Sequence, residues 1–180
     1  MIDAISRTLE RYLLAAIPEP GPDWIEIRSL HGDGPAPVPA NRLILFLYAV
    51  AEHPYLRNQP LVPADGGYRR PPLRLLLSYL ITFISDDAEE GQRRLSRVLQ
   101  AFHSRPRLGP AELDPTLVDQ LDGLSVRLRS TTFEEMNQLW TALNRGMRLA
   151  LYYDVEAALI EPAESAITPP VRRRDLEYTR

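Results

Sequence analysis

The sequence predicts an α+β protein: one mixed, mostly antiparallel sheet of about five strands packed by three helices, followed by an extended C-terminal arm. Three observations carry this. The stretch from Pro71 to Phe102 switches from a period of two to a period of 3.6, so one long strand feeds directly into one helix. The segments along the chain run α, β, β, β, α, β, α, β. Past Glu161 apolar content falls, leaving a domain at 1–160 and an arm at 161–180.

Ile2, Ile5, Leu9, Leu13 and Ala16 form a helical stripe opposite Arg7, Glu10 and Arg11, and the proline-rich run Pro18–Pro22 ends that helix. Trp24–Arg28 alternates as a short strand, and the segment from His31 to Pro39 reads as a loop. Leu43–Val50 is nearly continuous in apolar residues, which predicts a strand buried on both faces beside the central one. Glu52–Pro72 is polar and contains Asn58, Asp65-Gly66-Gly67 and Arg69-Arg70. A connection of that length without regular structure marks a working loop.

In the central strand the odd positions from Leu73 to Phe83 are all large and apolar, whereas the even ones are mixed. At about 40 Å such a strand must curve or protrude. Asp86 can cap the following helix and Glu89 can close a capping box, with acids filling the first turn where the helix dipole favours them. Leu95, Val98, Leu99 and Phe102 then make one apolar stripe. A short apolar turn around Leu113–Leu121 leads to the strand Leu124–Arg129. Thr131 or Thr132 caps a third helix whose buried face is Phe133, Met136, Leu139, Trp140 and Leu143, with Gly146 as its stop. Arg148–Ile160 is the last strand.

Composition narrows the function classes. The 180 residues are 44% hydrophobic and 25% charged with a net charge of −3, so no strong field selects nucleic acid or an acidic membrane. There is no cysteine, which removes disulfides, thiolate metal sites and a cysteine nucleophile. Every basic residue is arginine. The N-terminus lacks the pattern of a signal peptide and no apolar run is long enough to span a bilayer, so a cytoplasmic protein is expected.

Chemistry-bearing motifs are missing from the sequence pattern. His31, His53 and His103 sit in unrelated settings, and the acids at 86–90 match no calcium-loop spacing. Gly32-Asp33-Gly34 and Asp65-Gly66-Gly67 are not phosphate cradles, and Ser78 and Ser85 lack the glycine frame of a nucleophilic serine. No cofactor, no metal and no enzymatic activity are expected. Arg93, Arg94, Arg97 and Arg172–Arg174 could meet phosphates, but no aromatic residues interleave with them, so a nucleic-acid binder is the weaker reading. Arg172, Arg173 and Arg174, followed by the alternating Leu176 and Tyr178, suit an arm that adds a strand to another sheet's edge; folding back onto its own domain is the alternative.

Several stretches together resemble the cap, or tail-terminator, proteins of contractile injection systems, phage-tail-like particles of the antifeeding-prophage type. They are residues 1–9, Leu45–Tyr48, Arg70–Leu75 through Ser78–Leu80, Gln92–Phe102 and Glu134–Leu143, in the family's order over about residues 1–160. The resemblance implies the tail-terminator fold and a structural, non-enzymatic protein. It implies a homohexameric ring that ends the inner tube and anchors the terminal sheath ring, with the tube and sheath proteins as partners and neither nucleic acid nor membrane. Within that frame Asn58, Arg69 and Arg70 are expected to meet the tube, and Arg172, Arg173, Arg174, Leu176 and Tyr178 the sheath. A tail-completion or baseplate adaptor, or an assembly chaperone, is the alternative.

Overall fold

The computed structural model describes residues 1–19, 21, 23–31, 41–53, 60, 62–64, 67–69 and 73–159. Its elements are α1 (Ile2–Ala16), β1 (Ile25–Ile27), β2 (Arg42–Glu52), β3 (Val62–Ala64), β4 (Gly67–Arg69), β5 (Arg74–Ile84), α2 (Ala88–Ser104), β6 (Arg107–Leu108), β7 (Leu121–Leu128), α3 (Phe133–Ala142) and β8 (Ala150–Leu159), with a 3-10 turn at Pro115–Leu117. Six strands form one sheet in the order β1-β2-β5-β8-β7-β6; β1 runs parallel to β2 and every other pairing is antiparallel. The predicted α+β class and the central position of β5 both hold. The sixth strand is β6, two residues long and too short to show a period.

The two faces of the sheet are covered unequally. On the first, Ile5, Leu9 and Leu13 of α1 and Leu95, Val98 and Phe102 of α2 pack on Leu77, Tyr79, Ile81, Tyr153 and Val155. On the second, α3 brings Trp140 and Leu143 onto Ile44, Leu80 and Tyr152, and the Trp140 Nε1–H donates to the Tyr152 hydroxyl at 3.0 Å. β5 is buried on both faces from Leu77 to Phe83 because it lies between these two layers.

Buried polar groups tie α1 down. The hydroxyls of Ser6 and Tyr79 lie 2.8 Å apart, and burial pushes the Tyr79 phenol up to about 12. Thr8 accepts from the Asp114 N–H at 2.9 Å and Arg7 donates to the Asp114 carboxylate at 3.0 Å. Asp114 caps the 3-10 turn, and the Thr116 hydroxyl and N–H, together with Arg7, hold its carboxyl down at about 2. A group whose pKa is depressed on folding adds stability above its unfolded pKa and loses it as pH falls towards the folded value. The melting-temperature gap between wild type and Asp114→Asn is therefore expected to be constant above about pH 5 and to close between about pH 4 and 2. A gap that persists unchanged to pH 2 would remove the carboxylate from this account.

Several local expectations are corrected. α2 is capped by Asp87, which accepts from the Glu89 and Glu90 N–H groups, and not by Asp86, because Asp87 holds the extended backbone conformation next to the first helical residue. β2 is fully buried only over Leu43–Leu45; Phe46–Tyr48 are half-buried and the strand is exposed from Ala49 onward, with Val50 at 43%. The 52–72 connection contains the hairpin β3–β4, so it is not without regular structure. In α3, Thr132 and Glu135 form the expected capping box, but Phe133 is 67% exposed, since the first helical residue points past the end of the sheet layer. That helix ends at Ala142, and Asn144, with φ of 52°, takes the left-handed turn expected of Gly146. Ile2 and Ala16 lie exposed at the two ends of the α1 stripe, and Leu149 precedes β8 at 60% exposure.

Candidate docking surface

α3 is short, and it covers only the half of the second face near Ile44 and Leu80. The cross-strand register places the other half: Ser78 opposite Asp154, Leu76 opposite Glu156, Arg127 opposite Asp154, and Ser125 between Glu156 and Arg107. Side chains opposite one another in a pair share a face, so these residues form one mainly polar sheet surface, which among the described residues has no helix over it. Ser78 is buried, Leu76, Ser125, Asp154 and Glu156 are half-buried and Arg127 is exposed. The Ser78 hydroxyl donates to Asp154 at 2.8 Å. Arg127 grips Glu156 through both terminal nitrogens, at 3.2 and 3.3 Å, and His53 Nε2 lies 3.5 Å from the same carboxylate. At its margin Arg129 donates to the Tyr48 hydroxyl and to Glu135, each at 3.3 Å.

At the hairpin end of this surface a recess of about 150 Å³ opens between His53, Arg74, Arg107, Ser125 and Glu156. Its origin is a break in the β7–β8 ladder between Leu121 and Leu124, where Gly123 sits at φ of 152° with its α-carbon close under β6. A Cβ at that position would lie 2.6 Å from the Leu108 carbonyl oxygen, so only glycine lets β6 approach and close the recess on that side.

Two further features lie on the exterior. β1 pairs only with Leu43–Leu45, so among the described residues the β2 edge from Phe46 to Glu52 has no strand neighbour on that side. β6 pairs with Leu124 and Ser125 of β7, and the Val126 N–H donates to the Pro106 carbonyl just before β6 at 2.8 Å. An apolar groove of about 550 Å³ runs between the end of α2 and the free part of β7, lined by Leu99, Phe102, Val126, Leu128 and Tyr153.

The residues expected to work fall unevenly on this structure. Arg69 belongs to β4 at the backbone level. Asn58, Arg70, Arg172, Arg173, Arg174, Leu176 and Tyr178 lie outside the described residues. Among the described residues no group of three or more acids and histidines is placed to hold a metal ion, and no helix is long and apolar enough to cross a membrane. Arg74 and Arg107 were not among the expected residues; they stand 33 positions apart in sequence and meet only through the order β5-β8-β7-β6.

A six-stranded mixed sheet with helices on both faces makes this an α+β protein. The chain belongs to the Pvc16 N-terminal domain family, whose match runs over residues 3–174. Two solved structures share the fold. The sheath/tube terminator of PVC, an extracellular contractile injection system in its extended state, superposes with a TM-score of 0.60 at 16% identity, covering 99% of this chain and 64% of that one. The tube-terminating cap of the anti-feeding prophage gives 0.59 at 17% identity, covering 99% and 61%. This chain thus spans a little under two thirds of either relative. No curated protein matches the sequence.

Proposed function

We propose that this protein is the structural cap of a contractile injection system: a homohexameric ring that ends the inner tube and anchors the terminal sheath ring. The observation that carries the reading is membership of the Pvc16 N-terminal domain family over residues 3–174, joined to a fold likeness with two tube-terminating proteins across 99% of the chain. The physics is coherent with it. A tube of repeated subunits exposes a self-complementary ring, and growth stops only when something binds that ring without presenting a new one. A closed ring needs heterologous contacts, in which different surfaces of each copy meet. The half-free edges of β2 and β7, at opposite sides of the sheet, are surfaces of that kind.

In this reading residues 1–160 form the cap domain and 161–180 the arm. The 52–72 segment, with Asn58, Arg69 and Arg70, faces the tube. The arm joins a sheath subunit's sheet through Arg172, Arg173, Arg174, Leu176 and Tyr178. Removing residues 162–180 is expected to leave capped tubes whose sheath detaches under mild shear; sheath held as firmly as in wild type would sink the arm's role. The ring itself is tested by copy number. Six copies confined to one end of each purified particle are expected, whereas absence from finished particles would favour an assembly chaperone and one or a few copies an adaptor.

A further inference from the structure

We infer that the recess between Arg74 and Arg107 is a binding site for a carboxylate presented by a partner protein, which makes this end of the sheet the cap's reader of an acidic surface. The inference deepens the proposed tube contact and rests on that reading for the partner's identity. The chemistry rests on the site alone.

Neither Arg74 nor Arg107 has a carboxylate partner among the described residues, although both stand beside Glu156. Glu156 is already held by Arg127 through two hydrogen bonds, with His53 Nε2 3.5 Å away, so its charge is matched by the Arg127 guanidinium. By contrast Arg7, Arg93, Arg94, Arg105, Arg127 and Arg129 are each ion-paired. Arg74, Arg107 and Ser125 all line this recess of about 150 Å³, and a guanidinium is the side-chain group that pairs the two oxygens of a carboxylate in one plane. The position fits as well. Arg74 opens β5 directly after the hairpin connection that carries Arg69 and Arg70, and the His53 N–H donates to the Arg74 carbonyl at 2.8 Å where β2 ends. The recess therefore takes His53 and Arg74 from the two ends, in sequence, of the segment proposed to face the tube. A chain of net charge −3 has no field to attract a polyanion at large, so the selectivity is local and suits a single acidic side chain better than a phosphate backbone.

The test uses the full chain with three probes: a hexaglutamate peptide, duplex DNA, and inner tubes assembled from the particle's own tube protein. Wild type is expected to bind hexaglutamate at low salt, and Arg74→Ala/Arg107→Ala to bind it at least tenfold more weakly, with the salt dependence flattened. Arg148→Ala, exposed just before the start of β8 whereas Glu156 lies towards that strand's other end, is expected to match wild type. Because both replaced side chains are exposed, an unchanged circular dichroism spectrum and melting temperature should accompany the loss. Undiminished peptide binding by the double variant, or tight DNA retention through the same two arginines, would overturn the carboxylate site. On tubes the double variant should co-sediment less than wild type. If wild type itself ignores tubes while its peptide binding depends on Arg74 and Arg107, the tube contact falls and the acidic site stands.

Discussion

Replacing Trp140 with alanine is expected to lower stability by about 3–5 kcal/mol, and the melting temperature by roughly 6–20 °C. The indole is 2% exposed and anchors α3, a ten-residue helix, to the second face of the sheet with Leu143. Removing it opens a cavity between helix and sheet and leaves the Tyr152 hydroxyl without its donor. An isolated helix of that length is not stable in water, so loss of this anchor should release α3 altogether. The expected signature is therefore twofold: a lower midpoint in denaturant, and exchange of the α3 amides at rates near those of an unfolded peptide. A cost below about 1 kcal/mol with α3 still protected would show that Met136 and Leu139 hold the helix unaided.

Gly123→Val should cost roughly 2–5 kcal/mol, from a side chain forced into a φ of 152° and a methine placed against the Leu108 carbonyl. Its functional effect is expected to exceed its thermal one. Displacing β6 moves Arg107 away from Arg74, so a variant that still folds should have lost hexaglutamate binding. Gly146, whose added Cβ meets nothing within 4 Å and which lies outside any regular element, is the control. A Gly123→Val protein with wild-type stability and binding would mean that β6 can shift without consequence, and the recess would no longer depend on the ladder break.

Long periodic segments were legible before the structure. The strict run of large residues from Leu73 to Phe83 placed β5 at the centre, and the Leu95–Phe102 stripe placed α2 on it, because burial on a face imprints a period once an element spans several turns or pleats. What escaped were features set by tertiary context. The hairpin strands have three residues each and β6 has two, too few for any period. The outer half of β2 is as apolar as its inner half, yet it grades from half-buried at Phe46–Tyr48 to exposed at Ala49–Glu52; apolar content announces burial, but how much of a strand its own chain covers is not written in it. Val50 in β2 and Leu73 just before β5 are both exposed.

The same limit governed the site. Arg69 and Arg70 stand together in sequence and were visible as a pair. Arg74 and Arg107 become a pair only when β8 and β7 lie between their strands, and Arg107 reaches the recess only because Gly123 lets β6 come close. A sequence offers no signal for a cluster assembled across four strands in the absence of known strand order. Conversely, the expectation that Phe133 joins the core followed correct helical spacing and failed at the helix end, where the stripe runs past the sheet.

Tube length in particles assembled without this protein tests the central claim most directly. Electron micrographs of particles from cells deleted for its gene are expected to show inner tubes that are overlong, broad in length distribution or stripped of sheath, with normal lengths restored by the wild-type gene supplied in trans. Particles of uniform normal length and full sheath in its absence would contradict the cap.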